Sequence, residues 1–90
     1  MFKNKSADGR NNLCGKKIAE LRRAQSPYMS QRMLADRLQL MGLEVDKNAV
    51  QRMECGKRFI TDIELAALCR TFGVTPNALL DFDDTADAAE

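Results

Sequence analysis

"DKNAVQRMECGKR", residues 46–58, is the stretch on which the fold turns. Val50 and Met53 stand three residues apart and share one face of a helix. Lys47, Asn48, Gln51 and Arg52 point the other way. Asp46 is a good N-cap, and Gly56 is a stop followed by two cations, Lys57 and Arg58. At 3.6 residues per turn, Asn48, Gln51 and Cys55 fall near one line, with Lys47 and Arg52 beside it. The residue types on that line can do more than solvate. Asn and Gln carry a donor and an acceptor on one planar amide, which matches the edge of adenine in the major groove. Lys and Arg match guanine or phosphate. An ordinary solvated helix face fits the same residues equally well.

Working outward, the same kind of punctuation marks four more helices. Before the quoted stretch, Ser30 reads as an N-cap, with Met29 and Leu34 as a hydrophobic staple around it. Leu34, Leu38 and Met41 form the buried stripe of that second helix, and Gly42 ends it. Residues 43–45, "LEV", form a connection with two apolar anchors. Earlier still, Cys14, Ile18, Leu21 and Gln25 recur at helical spacing from Leu13 onward, and Ser26-Pro27 ends that first helix. After the quoted stretch, Thr61 and Glu64 make a capping box, Ile60 staples onto Leu65, and Leu65, Leu68, Cys69 and Phe72 form a stripe ending at Gly73. Thr75, with Pro76 at the first helical position and Val74 stapled onto Leu79, starts a fifth helix. The expectation is all-α: five short helices bundled around one centre, with no strand signal and no repeat. Residues 1–12 read as a flexible arm, residues 13–80 as the domain, and residues 81–90 as an acidic tail.

Ninety residues with 44% hydrophobic content suffice for one small core and no second one. The longest apolar run, residues 65–69, is far below the ~20 residues a spanning helix needs. The first ten residues have no apolar stretch after their cations, so they do not read as a secretory signal. The three cysteines are odd in number and form no C-x-x-C pair, which fits a reducing compartment. These features predict a soluble, cytoplasmic protein. The chain has no His, no clustered thiols and no phosphate-cradling glycine loop, which argues against a metal site, against the usual nucleophile–base pairs and against a cofactor; the expectation is no enzyme. The net charge of +1 hides an asymmetry. Residues 1–80 hold all fourteen Lys and Arg against eight acids, a net +6, while "DFDDTADAAE", residues 81–90, holds the other five acids. A basic folded part is a footprint of polyanion binding.

Residues 13–80 resemble the Cro/cI-type helix-turn-helix domain, the XRE family. The matching pieces are "IAELRR", "MSQRMLADRL", "VDKNAVQRMECGKR" and "LAALCRTFGVTPNALL", in the family's order. The resemblance implies a compact five-helix bundle of the phage-repressor-like type. It implies sequence-specific binding of double-stranded DNA, a repressor-like role in bacterial or phage transcription regulation, and a homodimer on a pseudo-palindromic operator. By position, Lys47, Asn48 and Gln51 stand where the family reads bases. Gln31, Arg52, Lys57 and Arg58 stand where it holds phosphates. Arg22 and Glu54 match its structural ion pair between the first and third helices. One departure from the family's pattern is "LQLMGLEV", residues 38–45, which makes the connection about five residues longer than the usual short turn. It is taken up by a longer second helix or by a wider loop. In either case the angle of the third helix can differ, so that Arg52 reads a base and Lys47 holds phosphate.

A second class of function stays open: a protein-interaction module, such as the antitoxin of a toxin–antitoxin pair. Ile63 and the fifth helix are the candidate contacts between copies. Cys55 on the outer face is either an ordinary exposed thiol or an oxidation-sensitive one.

Overall fold

In a computed structural model the described residues are 9–80, and every regular element among them is helical. The helices are α1, Gly15–Arg23; α2, Gln31–Leu40; α3, Lys47–Glu54; α4, Asp62–Phe72; and α5, Pro76–Leu80. The capping signals act where the sequence puts them. Ser30 Oγ accepts from the Met33 amide at 3.1 Å, and Asp46 Oδ1 from the Ala49 amide at 2.8 Å. The capping box of α4 is complete: Thr61 Oγ1 accepts from the Glu64 amide, and Glu64 Oε1 from the Thr61 amide. Thr75 Oγ1 accepts from the Ala78 amide at the start of α5. Each of these bonds satisfies an amide that a helix start leaves without an internal partner.

The core takes one stripe from each helix. Ile18, Leu34, Leu38, Val50, Met53, Leu68 and Leu79 are wholly buried, with Met29, Val45, Cys14 and Cys69 closing around them. α3 packs on α1 and α2, while α4 lies against α1, α2 and α5. The helices are too short to hold alone in water, so this shared centre keeps them. No helix among the described residues is long and apolar enough to cross a membrane.

Several expected boundaries move. α1 starts at Gly15, so Leu13 lies outside it and is 62% exposed. It stops at Arg23, short of Gln25 and of the Ser26-Pro27 bond. Met41 caps the C-terminus of α2 and is 45% exposed, so the stripe of α2 is Leu34, Ala35 and Leu38 instead. Leu65 and Phe72 pack at the edge of the core and are only partly buried. Since α2 ends at Leu40, the long connection is loop, residues 41–46. It is anchored by buried Val45 and half-buried Leu43, with Gln39 Nε2 donating to the Val45 carbonyl.

Within the expected arm, residues 1–12, Arg10, Asn11 and Asn12 are bonded to the C-terminal end of α3 and the turn after it. Residues 1–8 of the arm and the acidic tail, residues 81–90, lie outside the described residues.

Candidate nucleic-acid interface

α3 has one side locked and one side open. Inward, Val50 and Met53 have no exposure at all. Outward, Lys47, Asn48, Gln51, Arg52 and Cys55 are all exposed. Among the described residues, neither cation is ion-paired, and neither amide side chain is hydrogen-bonded. The open face therefore presents two planar amides between two cations, on a scaffold whose other side cannot shift freely.

The locking has three parts. First, Glu54 on the last turn of α3 receives a fork from Arg22 of α1: Nε to Oε2 at 2.7 Å and Nη2 to Oε1 at 3.0 Å. The two side chains are only 4% and 6% exposed. Arg22 Nη1 also donates to the Tyr28 hydroxyl and the Met29 carbonyl, both at 3.1 Å. The bonds to Glu54, foremost, and to the Tyr28 hydroxyl raise the arginine's pKa against the opposing effect of burial. The expected pairing of Arg22 with Glu54 is thus present as geometry.

Second, Gln31 joins the same carboxylate, its Nε2 donating to Glu54 Oε1 at 3.1 Å. Expected as a phosphate contact, Gln31 is first a tie between the start of α2 and the end of α3. Its amide oxygen and second N–H remain for another partner.

Third, the segment before α1 clamps the C-terminus of α3. Arg10 Nη2 donates to the Glu54 carbonyl at 2.6 Å, and the Asn11 amide to the Gly56 carbonyl at 2.8 Å. Asn11 Nδ2 donates to the Lys57 carbonyl at 3.0 Å. Asn12 Nδ2 reaches both the Met53 and Arg58 carbonyls, at 3.0 and 2.8 Å, while its Oδ1 accepts from the Gly15 amide. Carbonyls at a helix end have no partners within the helix; here a distant part of the chain supplies them. Gly15 makes the approach possible, because a Cβ there would run into the Met53 carbonyl oxygen. Gly56 sits at φ 79°, a conformation glycine adopts without strain.

The remaining site residues divide. Lys57 is exposed, beyond the α3 C-terminus. Arg58, expected to hold phosphate, donates a fork to Glu64, Nη1 to Oε1 at 2.8 Å and Nη2 to Oε2 at 2.9 Å. Burial works to raise the Glu64 pKa, but Arg58 and the Thr61 amide outweigh it and hold the carboxyl below its usual value. Lys47 lies apart from the amides in another sense: it lines an open cleft of about 520 Å³ with Arg23, Arg32, Tyr28, Ser30 and Gln31, floored by Arg22. Arg23, Arg32 and Lys47 are exposed, and none is ion-paired to a described residue. The cleft opens at the N-terminus of α2, where helix amides add positive potential.

Sequence reasoning missed Arg23, Arg32 and Tyr28, because the cleft joins two separate helix ends and no local spacing marks it. It also missed the clamp. The one available signal was Asn12 standing three residues before Gly15, an N-cap-like spacing. Compared with protein-family models, with curated proteins and with solved structures, the chain matches none.

Proposed function

We propose that this protein binds double-stranded DNA with sequence preference by placing α3 in the major groove, and that it regulates transcription in the manner of a bacterial or phage repressor. One observation carries the reading: the outward face of α3 holds two unengaged amides between unengaged cations, while its inner side and both ends are tied down. A solvated face needs neither amides nor such anchoring. A reading helix needs both, since an adenine edge takes a bidentate amide and discriminates only if the amide is held in register. The resemblance to the Cro/cI-type domain points the same way.

Asn48 and Gln51 are the readers in this proposal. Lys47, together with Arg23 and Arg32, holds a phosphate in the cleft at the start of α2, and Arg52 and Lys57 grip the backbone beyond α3. Arg58 acts through Glu64 as a brace. A single short helix reads only a few base pairs. Two copies on a pseudo-palindrome, with half-site centres ~10 bp apart, give a workable address. Bound at a promoter, such a dimer represses by occupancy alone.

The test is selection of duplexes from a random DNA pool, followed by binding of variants to the enriched site. A shared motif should emerge. Asn48→Ala and Gln51→Ala should each cost ~1–3 kcal/mol on that site and relax preference at particular positions. Lys57→Ala should weaken selected and scrambled duplexes alike, and reduce the salt slope by about 0.9. No enrichment, or equal losses on both duplexes for all three variants, removes α3 as the reader.

A further inference from the structure

The cleft at the start of α2 has a chain of hydrogen bonds for its floor. The Tyr28 hydroxyl accepts from Arg22 Nη1 at 3.1 Å, and Arg22 forks onto the Glu54 carboxylate. Glu54 Oε1 accepts in turn from Gln31 Nε2 at 3.1 Å. The two ends of the chain, Tyr28 and Gln31, both line the cleft. Each end has a donor left over. Neither the Tyr28 hydroxyl hydrogen nor the second N–H of Gln31 meets an acceptor among the described residues. Arg23, Arg32 and Lys47 stand around these donors, exposed and without an ion pair to a described residue. None of the described residues lining the cleft is acidic. A neutral ligand would leave three cations uncompensated. A phosphate group, with acceptors on several sides, can take from both ends of the chain and from the cations at once.

We infer that a phosphate group seated in this cleft accepts from the Tyr28 hydroxyl and the second N–H of Gln31 together, and so closes Tyr28–Arg22–Glu54–Gln31 into a ring. The consequence lies outside the cleft. Glu54 is the last residue of α3, and its carboxylate is the member of the ring that belongs to that helix. Bonds in a connected chain polarise one another, so closing the ring tightens the hold of Arg22 and Gln31 on Glu54. The three cations offset the repulsion between the phosphate and the Glu54 carboxylate. An empty cleft leaves the last turn of α3 to its own ties, whereas an occupied one braces it. Tyr28 is then a phosphate ligand and, through Arg22, a positioning residue for the helix that carries Asn48 and Gln51. The inference rests on the proposed function only for the duplex as source of the phosphate; the closure itself needs no DNA.

Amide hydrogen exchange of the full chain, followed by NMR, tests it with inorganic pyrophosphate as the probe. At saturation the probe should slow exchange in the last turn of α3, residues 52–55, by about 10-fold beyond any slowing at Leu68 in α4, which reports the whole fold. Tyr28→Phe and Gln31→Leu each open the ring at one end without changing the charge of the cleft. Each should bring that excess slowing close to none; the ratio is taken within each variant, so a bond lost in the free protein cancels. Arg23→Gln with Arg32→Gln keeps the ring donors and should instead raise the pyrophosphate concentration needed by about 10-fold or more. Arg70→Gln removes a cation that lines a different cleft and should change neither result. Circular dichroism checks that every variant is folded. A scrambled duplex, run against the same variants, separates the sources. Ring-dependent slowing by the duplex assigns the cleft to a backbone phosphate. Slowing by pyrophosphate alone upholds the closure for a free phosphate compound and counts against the DNA reading. The inference is overturned if neither probe moves the resonances of the cleft, if a bound probe leaves the last turn of α3 exchanging as before, or if the slowing survives both Tyr28→Phe and Gln31→Leu.

Discussion

Replacing Arg22 with Ala should remove most of the stability of the fold. Arg22 is 3% exposed and spends its fork on Glu54, with further bonds to the Tyr28 hydroxyl and the Met29 carbonyl. Taking it away leaves a carboxylate whose side chain is 6% exposed with one neutral donor, Gln31, as its remaining side-chain partner. An uncompensated charge in such a place costs ~3–5 kcal/mol. Domains of this size are held by a total of about the same order. At ~4–8 °C per kcal/mol for a small domain, the midpoint of thermal unfolding should fall by at least ~12 °C. Arg22→Lys keeps the charge but loses the planar fork, and should fall between the two.

The double variant separates the pair from its two members. Glu54→Ala alone strands the guanidinium and should cost a similar amount. Arg22→Ala with Glu54→Ala strands neither, and should cost clearly less than the sum. Urea unfolding followed by circular dichroism gives all four corners of the cycle. Losses that add to within ~0.5 kcal/mol would mean that the two groups do not act on each other, and the account of α3 being held through Glu54 would fall.

Gly15→Ala should destabilise. The same change in an open helix stabilises by ~1 kcal/mol, but here the new Cβ meets the Met53 carbonyl oxygen and the Asn12 Oδ1; a rise in melting temperature would contradict the clamp. Of the three thiols, Cys55 alone should react quickly with a disulfide reagent in the native protein, since it is exposed whereas Cys14, its pKa pushed up to about 11 by burial, and Cys69 are buried; rapid reaction of more than one thiol would show an open core. Stability should fall on acidification in the range below pH 4.5, because the Glu64 carboxyl is held below that ordinary value in the folded state. Its contribution is present above the unfolded pKa and is lost as pH falls through the folded one. In Glu64→Gln that part of the acid response, read as unfolding midpoint against pH, should flatten.

The fold was legible where local chemistry decides it. Ser30, Asp46, Thr61 and Thr75 each bond the amide three positions on, so each start could be read without knowing the rest of the chain. Val50 and Met53 face inward because their spacing allows only that. Met41 was misread because the helical period was carried past the point where the chain turns at Gly42 into a loop. The site was legible in part. The outward set on α3 follows from the same spacing that buries Val50. What could not be read were groups joined by folding alone: the cleft that brings Arg23 and Arg32 to Lys47, the capture of Arg58 by Glu64, and the use of Arg10, Asn11 and Asn12. A polar, turn-rich run looks the same in sequence whether it is loose or spends its amides on another helix.

That last feature has a consequence for the order in which the molecule assembles. The bonds that finish the end of α3 join residues 41 to 46 positions apart, across two complete helices. Contacts of such separation carry a loop-closure cost that neighbouring helices do not, and they form after the local ones. α2 and α3, neighbours in sequence, can pack on Leu34, Leu38 and Val50 with the end of α3 still frayed. The helix that presents Asn48 and Gln51 is then completed last and frays first. Its slowest-exchanging amides belong to the turn around Val50, and the turn approaching Gly56 opens whenever the strand of chain ahead of α1 lets go.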